Sequence, residues 1–302
     1  MKRLAALVAF VFVSACAAAE TTPAAPPPAA QQPVAQQPAV QPPAPQAALT
    51  LRCAGALVQG GVALCRTAPG AEIWIDGAAR EHADEQGWAV IGFDRFAQGD
   101  TRVEARLAGA AAAETLAIAP RTFSEQRVDG LPPQTVTPTD PAVLARIARE
   151  RTIKNQGFAS RAEREGWLDG FVVPVAGRVS SSWGNRRILN GVPSTPHYGV
   201  DIAAPDGTPI YAPASGVVSL AEPDMHYEGG LIFIDHGQGL ITMYLHMSRV
   251  DVRVGDEVVQ GQWLGAVGHA GRATGPHLCW RMKWRDRNLV PSVAVTALAA
   301  AR

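Results

Sequence analysis

The chain has 302 residues, 47% of them hydrophobic, which is enough for one large or two modest domains with a buried core. Its 27 basic and 27 acidic residues cancel. No overall field therefore draws it to nucleic acid or to an anionic membrane, and partners must be recognised locally.

Lys2 and Arg3 precede the apolar run Leu4 to Val13, which is too short to span a bilayer and has the layout of a secretory signal peptide. The sequence predicts an exported, periplasmic protein whose residues 1–19 are a signal segment. Val13-Ser14-Ala15-Cys16 resembles a bacterial lipobox, in which Cys16 becomes the acylated N-terminus and anchors the chain to a membrane. Cleavage after Ala17-Ala18-Ala19 is the competing reading, and it discards Cys16. Residues 20–49 are almost wholly Pro, Ala, Gln and Val, a composition that favours extended, spacer-like conformers.

The predicted fold is mainly β, with a small N-terminal β domain at 50–120, a linker and helix at 121–169, and a C-terminal antiparallel β-sheet domain at 170–302. Strand-like runs in the first are Ala56 to Leu64, Glu72 to Ile75 before the turn pair Asp76-Gly77, and Trp88 to Phe93. In Thr101 to Leu107, apolar Val103, Ala105 and Leu107 alternate with charged neighbours, which predicts an edge strand. Cys53 and Cys65 are either a disulfide across a hairpin or two buried thiols; an oxidising compartment favours the disulfide. Asp140 and Pro141 form an N-cap and first helical position, and Val143, Leu144 and Ile147 follow at helical spacing.

Three clusters carry chemistry: His197-Tyr-Gly-Val-Asp201, Tyr244-Leu-His246 and Gly275-Pro-His277-Leu-Cys279. Imidazole, carboxylate and thiolate are the usual zinc donors, and a catalytic site takes three of them, leaving one position for water. His277 and Cys279 are two apart and share a strand face. His197 and Asp201 would stand about 13 Å apart on a straight strand, so the segment must bend, and Gly199 permits a kink. Trp280, Met282 and Trp284 alternate with Arg281 and Lys283, which reads as a strand with one core face. His236 reads as structural; His82, His226 and His269 read as solvated; Arg186 is a further candidate for lining a groove.

With these motifs in that order, the chain resembles the LytM/lysostaphin-type zinc metallopeptidases, whose signature is His-x3-Asp, Tyr-x-His and Gly-Pro-His-x-His. The match runs from about Phe171 to Pro291 and includes the framework segments Gly199 to Val218, Asp235 to Gly239 and Val254 to Gly265. The resemblance implies one zinc ion held by His197, Asp201 and the residue at 279, with His246 and His277 in acid-base roles. It also implies hydrolysis of peptide cross-links in peptidoglycan, as a D,D-endopeptidase. Some members of that superfamily instead bind and activate amidases in cell division, which is the alternative function and partner.

The departure is Cys279, where the family has histidine. Asp201 and a Cys279 thiolate together cancel the charge of zinc, whereas one aspartate and two histidines leave +1. The sequence therefore predicts a weaker Lewis acid and lower activity than a histidine enzyme has.

Overall fold

The structure, a computed structural model, describes residues 48–300. The expected signal segment, Cys16 and nearly all of the Pro/Ala/Gln-rich spacer lie outside the described residues.

The first strands are β1 (Arg52–Gly55), β2 (Val62–Arg66), β3 (Glu72–Ile75), β4 (Ala78–His82), β5 (Trp88–Gly92), β6 (Gly99–Leu107) and β7 (Ala110–Ile118). They form two small sheets, ordered β1-β2-β5 and β4-β3-β6-β7. Asp76 and Gly77, with φ of 49° and 80°, make the tight β3–β4 turn that their sequence predicts. The expected strand over 56–64 is instead split around Gly60-Gly61, because a Cβ at Gly61 would stand 2.0 Å from the Ala56 carbonyl oxygen. Nor is β6 an edge. The alanine-rich β7 covers its free side, pairing with it along its whole length. Cys53 and Cys65 face each other across β1–β2 and form a disulfide.

β8 (Glu125–Val128) and helix α1 (Pro141–Phe158) lead into the larger sheet. The Asp140 carboxylate accepts from the Ala142 N–H at 2.7 Å, capping α1 at its expected start. The remaining strands are β9 (Arg178–Ser181), β10 (Arg186–Leu189), β11 (Val192–Ser194), β12 (Gly199–Ala203), β13 (Pro209–Tyr211), β14 (Gly216–Met225), β15 (Gly229–Asp235), β16 (Leu240–Val250), β17 (Glu257–Val258), β18 (Trp263–Val267), β19 (His277–Trp284) and β20 (Arg287–Leu289). Helix α2 (Pro291–Ala300) closes the described chain.

Strands run β17-β14-β15-β16-β19-β12-β9 across the main sheet, every pairing antiparallel. β8 pairs in parallel with β10 and so carries the interdomain linker along the edge of the later site. Trp280, Met282 and Trp284 are fully buried, as their alternation predicts. Met282 and Trp284 share one apolar core with Leu64, Ile73 and Phe93 of the first sheets and with Leu298 of α2. The small sheets and the large one are thus welded through side chains of β19. Burying each of these large side chains contributes roughly 1.5–3 kcal/mol.

Candidate metal centre and active site

Two antiparallel neighbours, β12 and β19, bring the donors together. Asp201 and Cys279 are direct cross-strand partners, and such residues hold their Cβ atoms about 5 Å apart on one face. His197 precedes β12. Its backbone N–H donates to the Asn185 carbonyl at 2.8 Å, and its carbonyl accepts from the Gly184 N–H, which turns its ring back over Asp201. His197 Nε2 lies 3.1 Å from Asp201 Oδ1 and 3.4 Å from Cys279 Sγ. One donor atom from each of the three residues falls within 4.8 Å of the others, and all three residues are buried.

Gly199 serves a different end from the expected kink. It has no positive φ. A Cβ there would instead stand 2.5 Å from Cys279 Sγ and 3.0 Å from Arg281 Cγ, so its missing side chain makes room for the sulfur.

Hydrogen bonds fix which nitrogen of His197 carries the proton. Ser181 Oγ donates to Gln126 Oε1 at 2.8 Å and accepts from Arg187 Nη2 at 3.1 Å; it stands 3.2 Å from His197 Nδ1. Its own proton being committed to Gln126, the hydroxyl can only accept from the ring, which places the hydrogen on Nδ1 and a lone pair on Nε2. That lone pair faces Asp201 Oδ1, a buried oxygen with no hydrogen-bond partner. Two lone pairs held 3.1 Å apart repel unless a cation stands between them. A neutral imidazole, a carboxylate and a thiol that loses its proton on coordination are zinc donors, so the residues fit a zinc ion.

The electrostatics follow from burial and neighbours. Burial pushes the His197 imidazole below its ordinary value, against the pull of Asp201. Burial works to raise the Asp201 carboxyl, but His197, His277 and Arg187 outweigh it and hold the group below the usual carboxylate range. The Cys279 thiol is pushed up to about 12 by burial, a shift that Asp201 reinforces and Arg281 opposes.

His246 and His277 complete the cluster, with ring centroids 4.7 Å apart. His246 has φ of 66°, a left-handed conformation uncommon outside glycine. Its N–H donates to the Glu228 carbonyl at 2.7 Å, and the pairing of β16 with β18 shifts register just beyond it. This local distortion sets the ring against His277. His246 Nδ1 donates to the Ala270 carbonyl and His277 Nδ1 to the Gly275 carbonyl, each at 2.8 Å. Carbonyl oxygens only accept, so both rings keep Nε2 free for proton exchange. Burial, then repulsion from His277, pushes His246 down to about 3, so it is neutral at neutral pH. All five residues line a groove of about 700 Å³, which Arg187, Arg272 and Tyr227 also border.

Among the other sequence candidates, Arg186 is exposed and does not border the groove; its neighbour Arg187 does, donating to Asp201 Oδ2 at 2.8 Å. His236 is structural, donating from Nδ1 to the Ser215 carbonyl and accepting from the Thr242 hydroxyl, each at 2.7 Å. His269 and His226 make solvent-facing contacts: His269 lies 3.0 Å from Asp206 Oδ1, and His226 Nε2 donates to the Gln134 carbonyl at 3.0 Å. Exposed His82 stands 3.9 Å from Glu72 Oε1. The sequence reading missed Arg281, whose Nε donates to Cys279 Sγ at 3.3 Å. The signal was present, since residues 277, 279 and 281 alternate onto one strand face.

Residues 195–291 match the model of peptidase family M23. The peptidoglycan DD-endopeptidase ShyA of Vibrio cholerae is 41% identical over 112 residues, 36% of this chain and 26% of the relative. The cell division protein DipM of Caulobacter vibrioides is 32% identical over 114 residues, 38% of this chain and 18% of the relative. The chain thus spans about a quarter or less of the length of these curated relatives. A peptidase M23 crystal structure from Pseudomonas aeruginosa is 30% identical, with a TM-score of 0.59, and the match covers 79% of this chain and 94% of that one. A shared sheet, a shared motif order and this coverage lead to one conclusion: the chain belongs to peptidase family M23.

Proposed function

We propose that this protein is an exported zinc metalloendopeptidase that cleaves peptide cross-links of peptidoglycan, with His197, Asp201 and Cys279 as metal ligands. The observation that carries the proposal is the buried, unpartnered Asp201 Oδ1 facing the His197 lone pair beside Cys279. When bound, zinc polarises an amide carbonyl and acidifies a water. The chain's own residues then do the following. Ser181 and Gln126 orient His197, Arg187 holds Asp201, and the open groove admits an extended peptide. His246 and His277, each with Nδ1 tied to a carbonyl, accept a proton at Nε2 and return it to the leaving amine. A D-alanyl to diaminopimelyl bond is the proposed substrate, in keeping with the names of the Vibrio relatives. A lipid anchor at Cys16 is part of the same proposal and would keep the enzyme beside the wall.

One observation favours a second reading. The chain is also similar to a cell division protein, and a site that fails to take zinc would leave a regulator that binds and activates amidases. Zinc stoichiometry together with hydrolysis of purified peptidoglycan separates the two. The enzyme reading expects close to one zinc per chain and cleavage that His246→Ala slows by roughly 10²- to 10⁴-fold without loss of metal. A zinc-free protein that stimulates a partner amidase equally well as His246→Ala would overturn it.

A further inference from the structure

Arg281 is the feature of the site that the zinc reading leaves unused. It lies two residues after Cys279 on β19 and directly opposite Gly199 on β12. Residues two apart on a strand share one face, so the Arg281 side chain stands beside Cys279, and its Nε donates to Cys279 Sγ at 3.3 Å. Gly199 allows this. A Cβ at that position would meet the sulfur at 2.5 Å and the Arg281 stem at 3.0 Å, so the same missing side chain accommodates both partners. The arginine is half-buried against the groove, where a charge contact is stronger than in open water.

We propose that Arg281 is a positioning residue for zinc: its N–H···S bond orients Cys279 as a ligand and returns the positive charge that a thiolate removes. This inference rests on the zinc reading above. Leaving Arg187 out of both counts, since its contact is to Asp201 and not to the residue at 279, zinc with Asp201 and an ionised Cys279 carries no net charge, and with the Arg281 guanidinium the cluster carries +1. That is the value of a site with one aspartate and two histidines, so the cysteine and the arginine together stand in electrostatically for a histidine ligand. Arg187 makes the matching contact on Asp201 Oδ2 at 2.8 Å, so each anionic ligand holds a guanidinium on its outer side. Hydrogen bonds of this kind to a ligand set its orientation and its donor strength. The lower activity expected from the cysteine alone is thereby offset.

The test uses the whole chain loaded with zinc, and in parallel with cobalt(II), whose sulfur-to-metal charge-transfer band reports the donor strength of the thiolate. Arg281→Met keeps the stem and removes the N–H and the charge. It is expected to weaken zinc binding about 10- to 100-fold in a chelator competition and to move the band to lower energy. Arg281→Lys, which keeps the charge and a donor, recovers part of both, and it stands in should the methionine variant fail to fold. Unchanged affinity and band position in both variants would overturn the proposal while leaving the zinc site intact. Cobalt binding with no sulfur band would remove Cys279 from the ligand set, and the proposal with it. A wild-type protein that takes neither metal would overturn this proposal and the zinc reading together.

Discussion

Cys279 decides more of the chemistry than any other single residue. Its sulfur stands where His197 and Asp201 converge, and Cys279 is the only free cysteine among the described residues. Cys279→Ser replaces a strong zinc donor with a hydroxyl, and zinc content measured by elemental analysis is expected to fall from about one to near zero. Cys279→His is expected to keep the metal and, because Arg281 already returns the charge that the thiolate removes, to leave peptidoglycan hydrolysis near the wild-type rate. Equal zinc in wild type and Cys279→Ser would remove the cysteine from the ligand set. By contrast, the proposed acid-base role of His246 and His277 predicts that alanine at either slows hydrolysis by roughly 10²- to 10⁴-fold, with zinc content unchanged. The five residues that the structure brings together could be singled out in the sequence because each motif carries its chemistry in residue type and spacing. Arg187, Ser181 and Gln126 were not, because they reach the site from β8, β9 and β10, elements whose approach no local pattern encodes.

Strand pairing turns those residues into a site. β12 and β19 are in the one register that sets Asp201 against Cys279 and Gly199 against Arg281; a slip of one residue would put Asp201 and Cys279 on opposite faces. Gly199→Ala tests that packing. Its Cβ would collide with the sulfur, so zinc content and melting temperature should both drop. Gly275→Ala, whose Cβ meets nothing within 4 Å, should leave both near wild type. A Gly199→Ala protein with normal zinc would mean that β12 and β19 yield more easily than their packing indicates.

The turn between β15 and β16 shows a second element-scale device. Tyr244, Thr242 and His236 form a buried hydrogen-bonded chain that ends on the Ser215 carbonyl. Burial pushes His236 down to about 4 from an ordinary 6.5. Above pH 6.5 the ring is neutral in both folded and unfolded chains, and the full stability is present. As pH falls from 6.5 toward 4, the unfolded chain takes up a proton that the folded one refuses, so stability declines across that window by roughly 3 kcal/mol. Thermal melts between pH 7 and 4 should therefore fall more steeply in wild type than in His236→Gln, by the equivalent of one proton. Parallel slopes would refute this role for His236.

At the scale of the molecule, the apolar face of β19 joins the early sheets to the peptidase sheet. Trp284→Ala opens a cavity in that shared core and is expected to cost about 3–5 kcal/mol. Because Leu64, Phe93 and Trp284 pack as one cluster, calorimetry should show a single cooperative transition for the described region. Two separated transitions would show that the sheets fold independently despite their common core. The sequence by itself determined the class of the fold and the family, and it singled out the five residues that the structure gathers around one groove. Alternation along strands, glycine turns and donor spacing are local properties, and they survive in a linear string. Only the tertiary structure decided that Gly199 is a space and not a hinge, that β6 is covered, and that Arg187 and Arg281 hydrogen-bond to Asp201 and Cys279. Each of these depends on which strands lie side by side, a choice made by packing over long sequence distances and by the room that missing side chains leave.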